Sequence, residues 1–450
     1  MKRVRGAPPA TPASVRSVAA CLIDEIFARP VPVEPLLARA SDRLEARDAR
    51  LLAELVYGVA RWRRRLDHVI ERAAARPLSR IDAPLRAVLE IGALQLLVLE
   101  RVPAHAAVSE AVDEARRRGG RAAAGFVNGV LRAIARSPRL DAWPVEAADP
   151  RRRLAIEHSH PDELVGRWWH RFGQAATRRI LEANNGPRRL HLLCFAARGG
   201  RDRVAERLAA EGVVTRPSTL APQGLTVESG QPIGGESFRS GDFYVQDEAS
   251  QAAALVPFPH AGERVLDAAA APGGKGLALV AAEPTARIVF GDVDLGRVLR
   301  LAENLARLGL RAPVAVADGR RLAFGGAFDR VVLDAPCTGT GTLRRHPELR
   351  WRFGSAELAR LAGRSLELLE GLAGAPAVGG LLALVTCSIE EEENERVAAR
   401  FLARHAEFRA LSLAAAEVPP GGREELAAGR WCVLPGDGHD GFTVSVLQRK

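Results

Sequence analysis

The sequence predicts a multidomain protein with an all-α N-terminal domain, a small α+β domain and a C-terminal α/β domain. Three observations support this fold class. The chain has 450 residues, more than a single hydrophobic core usually organises. Apolar residues recur at three- and four-residue spacing through its first third, which is typical of amphipathic helices. From about residue 245, short apolar runs alternate with helical patterns, which predicts a parallel, doubly wound sheet.

The first domain is assigned to residues 13–140. Its helical periodicity is clearest in Leu51–Leu66 and Leu85–Leu99, and prolines separate the successive segments. The stretch 141–160 that follows is predicted to be a connector.

The second and third domains are assigned to residues 150–240 and 241–450. In the second, RLHLLCFAA predicts a strand and RDRVAERLAAEGV predicts a helix, with a further strand after it. In the third, five buried strands are predicted in RVLDAA, RIVFGDV, APVAVAD, FDRVVLDAP and LLALVTCS. Ligands of such sheets bind outside the carboxyl ends of the strands.

The charge of the chain is unevenly distributed. Its net charge is +10, and residues 1–140 hold 25 Lys+Arg against 15 Asp+Glu, whereas the remainder holds 39 of each. Arg63–Arg65 and Arg116–Arg118 are examples of the clusters. A localised basic surface is typical of proteins that bind nucleic acid. The alternative is an arginine-rich, solvated surface without such a partner.

Cysteine usage and hydropathy indicate the compartment. The five cysteines are scattered and contain no CxxC pair, which predicts free thiols in a reducing compartment and no metal site. No apolar run approaches the ~20 residues of a membrane helix. No apolar segment with a cleavage site follows the basic N-terminus. We therefore predict a cytoplasmic protein with no membrane partner, and nothing in the sequence indicates more than a monomer.

A loop of small residues, Ala268–Lys275, follows the first strand of the third domain. Two glycines let a ligand approach its backbone and the N–H groups of the next helix. Neither the GxxxxGK[ST] nor the GxGxxG pattern is present. Asp292 and Asp318 end the next two strands, where carboxylates can accept from the ribose and adenine of an adenosine without phosphates. Each also has a structural alternative, as a helix N-cap for Asp292 and a turn former for Asp318.

Two cysteines follow the fourth and fifth predicted strands. Cys337 comes three residues after Asp334, and Cys387 lies between Thr386 and Ser388. A single cysteine after a strand is usually a small core residue, but two at one ligand-binding edge indicate covalent chemistry on an electron-poor ring. A thiolate that attacks C6 of cytosine makes C5 nucleophilic, and a carboxyl group at N3 stabilises the charge that develops. The spacing does not distinguish the nucleophile from the second cysteine.

Several longer motifs carry a family resemblance. They are DAPCTGTGTLRRHPELRWR (334–352), AAPGGK (270–275), FYVQDEASQ (243–251), TCSIEEEENE (386–395) and DGF (440–442). These resemble the motifs of bacterial 16S ribosomal RNA cytosine-5 methyltransferases of the Sun/Fmu type. The segments ELVYGVARWRRRLD, RVPAHAAVSEAVDEAR and GFVNGVLR resemble the NusB-like RNA-binding domain joined to that enzyme. The resemblance implies a NusB-like domain, a small RNA-binding linker domain and a Rossmann-like methyltransferase domain that uses S-adenosyl-L-methionine.

The resemblance also implies residue roles. Cys387 is the nucleophile, Cys337 assists product release, and Asp334 completes the catalytic set. Cofactor contacts carry over to Ala269, Ala270, Ala271, Pro272, Gly273, Gly274, Lys275, Asp292, Asp318 and Asp334. The implied reaction is methylation of C5 of a cytosine in 16S ribosomal RNA through a covalent cysteine–C6 adduct.

The chain departs from the family at three places. Ala269 stands where relatives often have cysteine, and Gly276 where they have threonine. Leu192-Leu193-Cys194-Phe195 replaces an Arg-Val-Asn signature, which puts part of the RNA contact in doubt. Cys194 is predicted to be a core residue rather than a catalytic one, as are Cys21 and Cys432.

Two alternative functions remain open at this point. The same chemistry directed at transfer RNA would retain every catalytic motif. A non-catalytic RNA-binding assembly factor is disfavoured because both cysteines and Asp334 are present.

Overall fold

The structure is a computed structural model that describes residues 14–29, 31–321 and 328–450. The start of the first predicted domain, residue 13, lies outside the described residues. The chain forms two compact units, one up to Leu181 with His346–Arg352, and one of Glu182–Arg345 with Phe353–Lys450. The bounds of the three predicted domains stay a prediction.

The first unit is helical, as predicted. Its helices are α1 (Val15–Ala28), α2 (Val33–Ser41), α3 (Ala46–Ala74), α4 (Ala83–Leu97), α5 (Ala104–Ala135), α6 (Pro150–Glu157) and α7 (Asp162–Asn185), of which α7 ends four residues into the second unit. One apolar face of α3 and most of α4 are buried in a common core, including Leu55, Val59 and Leu94. Within the described residues no helix is both long and apolar enough to cross a membrane.

The predicted connector contains a helix that the sequence analysis missed. Asp149 accepts a hydrogen bond from the Arg151 N–H at 2.9 Å, and Pro150 occupies the first turn of α6. A capped start with proline at this position favours a helix. Leu154 and Ala155 are then buried, although the segment is otherwise polar.

The arginine clusters of the first unit are engaged in local contacts. Arg63 lies 3.0 Å from the fully buried Glu90. Arg65 is only 5% exposed and donates to two backbone carbonyl groups. Arg116 and Arg117 pair with acidic neighbours at 2.8 and 2.6 Å. Other arginines of the unit are exposed and scattered over its surface, among them Arg39, Arg43, Arg47, Arg50, Arg76, Arg80, Arg101, Arg121 and Arg132.

The second unit begins with a small antiparallel sheet. Its elements are β1 (Leu190–Cys194), α8 (Gly200–Ala210), β2 (Val214–Pro217), β3 (Gly224–Ser229), α9 (Glu236–Arg239) and β4 (Phe243–Val245). The strand order is β2-β3-β1-β4, and all three pairings are antiparallel. The predicted strand–helix–strand order is confirmed, and this sheet is the small α+β domain of the predicted fold class.

The larger sheet follows. Its elements are α10 (Glu248–Ala254), β5 (Arg264–Asp267), α11 (Gly274–Ala282), β6 (Arg287–Asp292), α12 (Leu295–Leu308), β7 (Val314–Val316), β8 (Phe328–Asp334), α13 (Ser355–Leu372), β9 (Pro376–Thr386), α14 (Glu395–Arg404), β10 (Phe408–Ala410), β11 (Arg423–Glu425), β12 (Arg430–Val433) and β13 (Phe442–Arg449). The order is β11-β12-β13-β9-β8-β5-β6-β7, with β10 beside β13.

The five predicted strands correspond to β5–β9, and they are parallel. Helices cover both faces of this sheet, since α10–α12 contribute to one core and α13 and α14 to another. The doubly wound prediction is therefore confirmed for these strands. The sheet as a whole is mixed, because β13 runs antiparallel to β9 and β12 antiparallel to β13. β12 and β13 are joined by a short loop without a crossover helix, which only an antiparallel pair permits.

Candidate active site

The carboxyl ends of the parallel strands bring the predicted site residues to one edge of the large sheet. β5 leads into the Ala268–Lys275 loop, and β6 ends at Asp292. β8 ends at Asp334, and Cys387 follows β9 directly. Neighbouring parallel strands end at the same edge. The edge therefore collects predicted site residues that end or follow four separate strands.

Neighbouring strands hold the backbone of the glycine-rich loop. Ala268 N–H donates to the Val332 carbonyl at 2.9 Å, and Ala270 N–H donates to the Gly291 carbonyl at 2.8 Å. Gly273 has a φ of 117°, a left-handed conformation that favours glycine, and it immediately precedes α11. The loop thus presents small side chains and a helix N-terminus at the sheet edge, as the sequence predicts.

Asp292 is almost fully buried and braces the loop. One carboxylate oxygen accepts from Ala271 N–H at 3.1 Å, and the other accepts from Asp294 N–H at 3.1 Å. The N-cap of α12 is Asp294, whose side chain accepts from Arg297 N–H at 2.8 Å. The structural alternative for Asp292, a helix N-cap, is therefore wrong.

Asp318 lies just beyond β7 and is engaged in a turn. It accepts from the backbone N–H of Arg320 at 3.0 Å and from the Arg320 guanidinium Nε at 3.0 Å. The hydrogen bond from the Arg320 side chain lowers the pKa of Asp318 to about 2. These contacts agree with the alternative that Asp318 forms a turn. That Asp318 accepts from the adenine of a cofactor stays a prediction.

Lys275 connects the loop to Asp334, the predicted catalytic carboxylate. Its ammonium group lies 3.0 Å from Asp334 Oδ2 and 2.9 Å from Ser250 Oγ. The Phe442 ring centroid lies 4.7 Å from the same nitrogen. Lys275 is 4% exposed, whereas 39% of the Asp334 side chain remains accessible. The buried lysine thus orients the Asp334 carboxylate, which remains partly accessible to solvent or to a ligand.

Cys337 and Cys387 are in contact. Their sulfur atoms are 3.4 Å apart, and both residues are partly exposed. The Cys387 carbonyl accepts from Gly341 N–H at 2.9 Å, which ties the two cysteine loops together. The hydrogen bond to Cys387, together with burial, raises the pKa of Cys337 well above its ordinary value. The repulsion between two neighbouring negative charges adds to this rise in the pKa of Cys337.

The DGF motif and Asp247 of the FYVQDEASQ motif contact the segment that follows Cys337. Asp440 of the DGF motif is 1% exposed and forms an ion pair with Arg345. Its backbone N–H donates to the Asp247 carboxylate at 3.3 Å, and Gly441 N–H donates to the Gly341 carbonyl at 2.8 Å. These residues position the site but do not form its edge.

Sequence reasoning missed two buried carboxyl groups in this region. Asp267 ends β5, is fully buried and accepts from Gly276 N–H at 2.8 Å; burial raises its pKa to about 7. Its position at a strand end was a usable signal. Glu393 is also fully buried, and burial raises its pKa to about 7. The sequence gives no such signal for Glu393, because it is one of four consecutive glutamates.

The departure at 192–195 is a packing feature. Leu192 and Cys194 pack in a small core with Val204 and Leu208, and Leu193 and Phe195 join the neighbouring core. Burial raises the pKa of Cys194 to about 12. The predictions that Cys194 and Cys432 are buried are confirmed. The prediction for Cys21 is wrong, because it is exposed on α1.

The departure at Gly276 has a steric cause. A Cβ atom there would lie 2.9 Å from Phe290 Cζ and 3.1 Å from Asp267 Oδ2, and closer still to a second ring carbon of Phe290. Phe290 is fully buried in β6 and fills the space that a threonine would need. The glycine and the phenylalanine are therefore complementary.

We predict that Gly276→Ala lowers the free energy of unfolding by about 1–3 kcal/mol, because overpacking forces a buried ring to move. Chemical denaturation measures the change. Gly363→Ala in α13 is the control, since nothing lies within 4 Å of the added methyl group. Adding Phe290→Leu to Gly276→Ala should recover part of the loss. Equal stability of the two alanine variants would contradict the steric explanation.

Three known protein families match successive parts of the chain. The family model described as 16S rRNA methyltransferase RsmB/F matches residues 254–448, the NusB family matches 14–136, and an RsmF/B-like ferredoxin-like domain matches 160–234. Ribosomal RNA small subunit methyltransferase B of Pseudomonas syringae pv. tomato is 35% identical over 90% of each chain. The protein of the same name from Escherichia coli is 31% identical over 97% of this chain and 99% of its own. The crystal structure of PH0851 superposes with a TM-score of 0.76 at 26% identity, covering 99% of this chain and 100% of that one.

Proposed function

The chain belongs to the RsmB/F family of 16S rRNA methyltransferases, and we propose that it methylates C5 of a cytosine in small-subunit ribosomal RNA. The observation that carries the cytosine-5 chemistry is the pair of thiols 3.4 Å apart at the edge that also holds Asp334. Covalent activation of a pyrimidine needs one thiolate and a polar group that stabilises the developing charge, and a second thiol is available here for release. The small-subunit substrate is inferred from the relatives.

S-Adenosyl-L-methionine is the methyl donor of this family, and the residues fit it. The Ala268–Lys275 loop offers backbone N–H groups and small side chains beside buried Asp292. Within the described residues, Asp267 Oδ1 is buried beside this loop without a hydrogen-bond partner. A buried, unsatisfied carboxylate oxygen is suited to a polar ligand. We infer that Ala269 to Lys275, Asp292, Asp318 and Asp334 hold the cofactor, which supplies an electrophilic methyl group when bound.

The mechanism assigns one task to each catalytic residue. The Cys387 thiolate attacks C6, so that a C6–Sγ bond forms and electron density moves to C5. Asp334, oriented by Lys275, faces N3 and stabilises the charge that develops there. After C5 takes the methyl group, Cys387 is bonded to C6 and carries no charge, so the neighbouring Cys337 can act as a thiolate and accept the C5 proton. The C5–C6 double bond then re-forms and the C6–Sγ bond breaks, which returns the Cys387 thiolate. Cys337, in contact with the leaving sulfur, acts in this release stage.

The reaction can be tested with purified protein. Small-subunit ribosomal RNA and transfer RNA are incubated separately with S-adenosyl-L-methionine, digested and analysed for 5-methylcytidine by mass spectrometry. We expect 5-methylcytidine in the ribosomal RNA alone. If it forms only in transfer RNA, the chemistry stands and the substrate is wrong. If it forms in neither, although the cofactor binds, the result favours the assembly-factor alternative.

We predict that RNA affinity falls steeply with salt, since phosphate contacts release counterions. The exposed Arg43 and Arg47 offer unshielded charge, so their joint replacement by alanine should reduce the salt slope by about 2. Arg116 and Arg117 are the matched control, because each lies beside a carboxylate, Asp113 at 2.8 Å and Glu114 at 2.6 Å. Filter binding over a range of salt concentrations measures the slopes. A flat response of the unmodified protein would exclude the helical unit as the docking surface.

A further inference from the structure

Glu393 connects the two cysteine loops without being part of either. It ends a 3-10 turn, Glu391–Glu393, between β9 and α14 and is 0% exposed. One carboxylate oxygen accepts from the backbone N–H of Thr338 at 2.7 Å, and the other accepts from the Thr338 hydroxyl at 2.6 Å. Thr338 directly follows Cys337. The carboxylate therefore fixes both the backbone and the side chain next to the second cysteine.

The neighbouring residue performs the same task for the nucleophile. Asn394 accepts from the Thr386 hydroxyl at 2.6 Å and donates to the Ser388 carbonyl at 3.2 Å. Thr386 and Ser388 are the two residues that flank Cys387. Two consecutive side chains, Glu393 and Asn394, thus hold the loops whose sulfur atoms are 3.4 Å apart.

The free-energy cost of burying the Glu393 carboxyl group indicates that its hydrogen-bond partners are specific. A carboxyl group without solvent is unfavourable unless its oxygens are hydrogen-bonded. Both oxygens of Glu393 accept hydrogen bonds from Thr338, and the carboxylate also accepts one from the Ser388 hydroxyl. The exposed neighbour Glu391 is instead ion-paired with Arg396. The run of glutamates therefore contains one member that joins the residue after Cys337 to the residue after Cys387.

We propose that Glu393 is a positioning residue for the release step: it holds Cys337 against the sulfur of Cys387 so that the covalent adduct can be resolved. The inference rests on the proposed function. It implies that loss of Glu393 impairs release more than attack, because Asn394 continues to hold the nucleophile's loop. A purely structural role would lower attack and release together.

The test measures how much protein becomes covalently attached to RNA. Glu393→Ala, Glu393→Gln, Thr338→Val, Glu391→Ala and Cys337→Ala are each incubated with S-adenosyl-L-methionine and substrate RNA. Denaturing gels give the adduct, and nucleoside analysis gives the released product. Glu393→Ala should accumulate adduct and slow release by about 10- to 100-fold, since a displaced catalytic group loses rate on this scale.

The other variants separate positioning from folding. Glu393→Gln should approach the unmodified rate, because its amide oxygen can accept from Thr338 N–H and its amide group can donate to the Thr338 hydroxyl. Thr338→Val removes only the hydroxyl donor and should show a smaller accumulation. Glu391→Ala, on the exposed side of the same turn, should behave as the unmodified protein.

Two results would overturn the inference. In one, Glu393→Ala releases product at the unmodified rate. In the other, attack and release fall in parallel and no adduct accumulates, although Cys337→Ala does accumulate it. If Cys337→Ala itself forms no adduct, Cys337 has no part in release, and the role of Glu393 in positioning it fails as well.

Discussion

Replacing Cys387 by alanine is expected to abolish methyl transfer while leaving cofactor binding intact. Without the thiolate no C6–Sγ bond forms, and C5 of cytosine remains too weak a nucleophile to take the methyl group. We expect a loss of at least ~10⁴-fold in rate, the scale seen when a covalent nucleophile is removed. Cys387 is not part of the Ala268–Lys275 loop. Among the described residues it forms no hydrogen bond with Lys275 or Asp292. Isothermal titration with S-adenosyl-L-methionine should therefore give an unchanged affinity.

Cys21→Ala is the matched control for this result. The Cys21 thiol is exposed on α1, and α1 belongs to the helical unit. The control should retain full activity. A Cys387→Ala variant that methylates RNA at the unmodified rate would show that Cys387 is not the nucleophile.

Replacing Cys337 by alanine is expected to trap a covalent protein–RNA adduct. The thiol nearest to the leaving sulfur is then missing, so attack and methylation proceed but release fails. Incubation with RNA and cofactor, followed by a denaturing gel, should show a band of reduced mobility that nuclease treatment collapses. Product release should fall by at least ~10²-fold, as for loss of a group that acts in proton transfer.

The double variant Cys337→Ala with Cys387→Ala provides the internal check. It should give no adduct, because the nucleophile is absent. An adduct that persists in the double variant would place the covalent bond on a different residue. Absence of any adduct in Cys337→Ala, with substrate RNA and cofactor present, would show that Cys337 has no part in release.

The strand ends of the large sheet were predictable because the relevant signals are local. Each buried strand is a continuous apolar run, and the functional residue follows it directly, as at Asp292, Asp334 and Cys387. The rule that parallel strands end at one edge then brings these residues together without further information. Which cysteine attacks was not derivable in this way, since the two are equivalent in position and in contact.

Contacts between distant segments were not predictable. Burial of the Glu393 carboxyl group is stabilised by Thr338, 55 residues earlier, which supplies two hydrogen bonds, and by the Ser388 hydroxyl. Gly276 is required only because Phe290 occupies the adjacent space. Likewise, the arginines near residue 64 looked available from their charge alone, yet Arg63 pairs with buried Glu90. Each case depends on a partner that sequence spacing does not identify.

Bisulfite sequencing of ribosomal and transfer RNA, from cells with and without this gene, tests the central claim most directly. One cytosine of small-subunit ribosomal RNA should resist conversion in cells that carry the gene and become convertible in cells that lack it. Protection should return with the unmodified gene but not with Cys387→Ala. If no ribosomal or transfer RNA position changed, the proposed cytosine-5 methylation would be contradicted; if only a transfer RNA position changed, the small-subunit substrate would be.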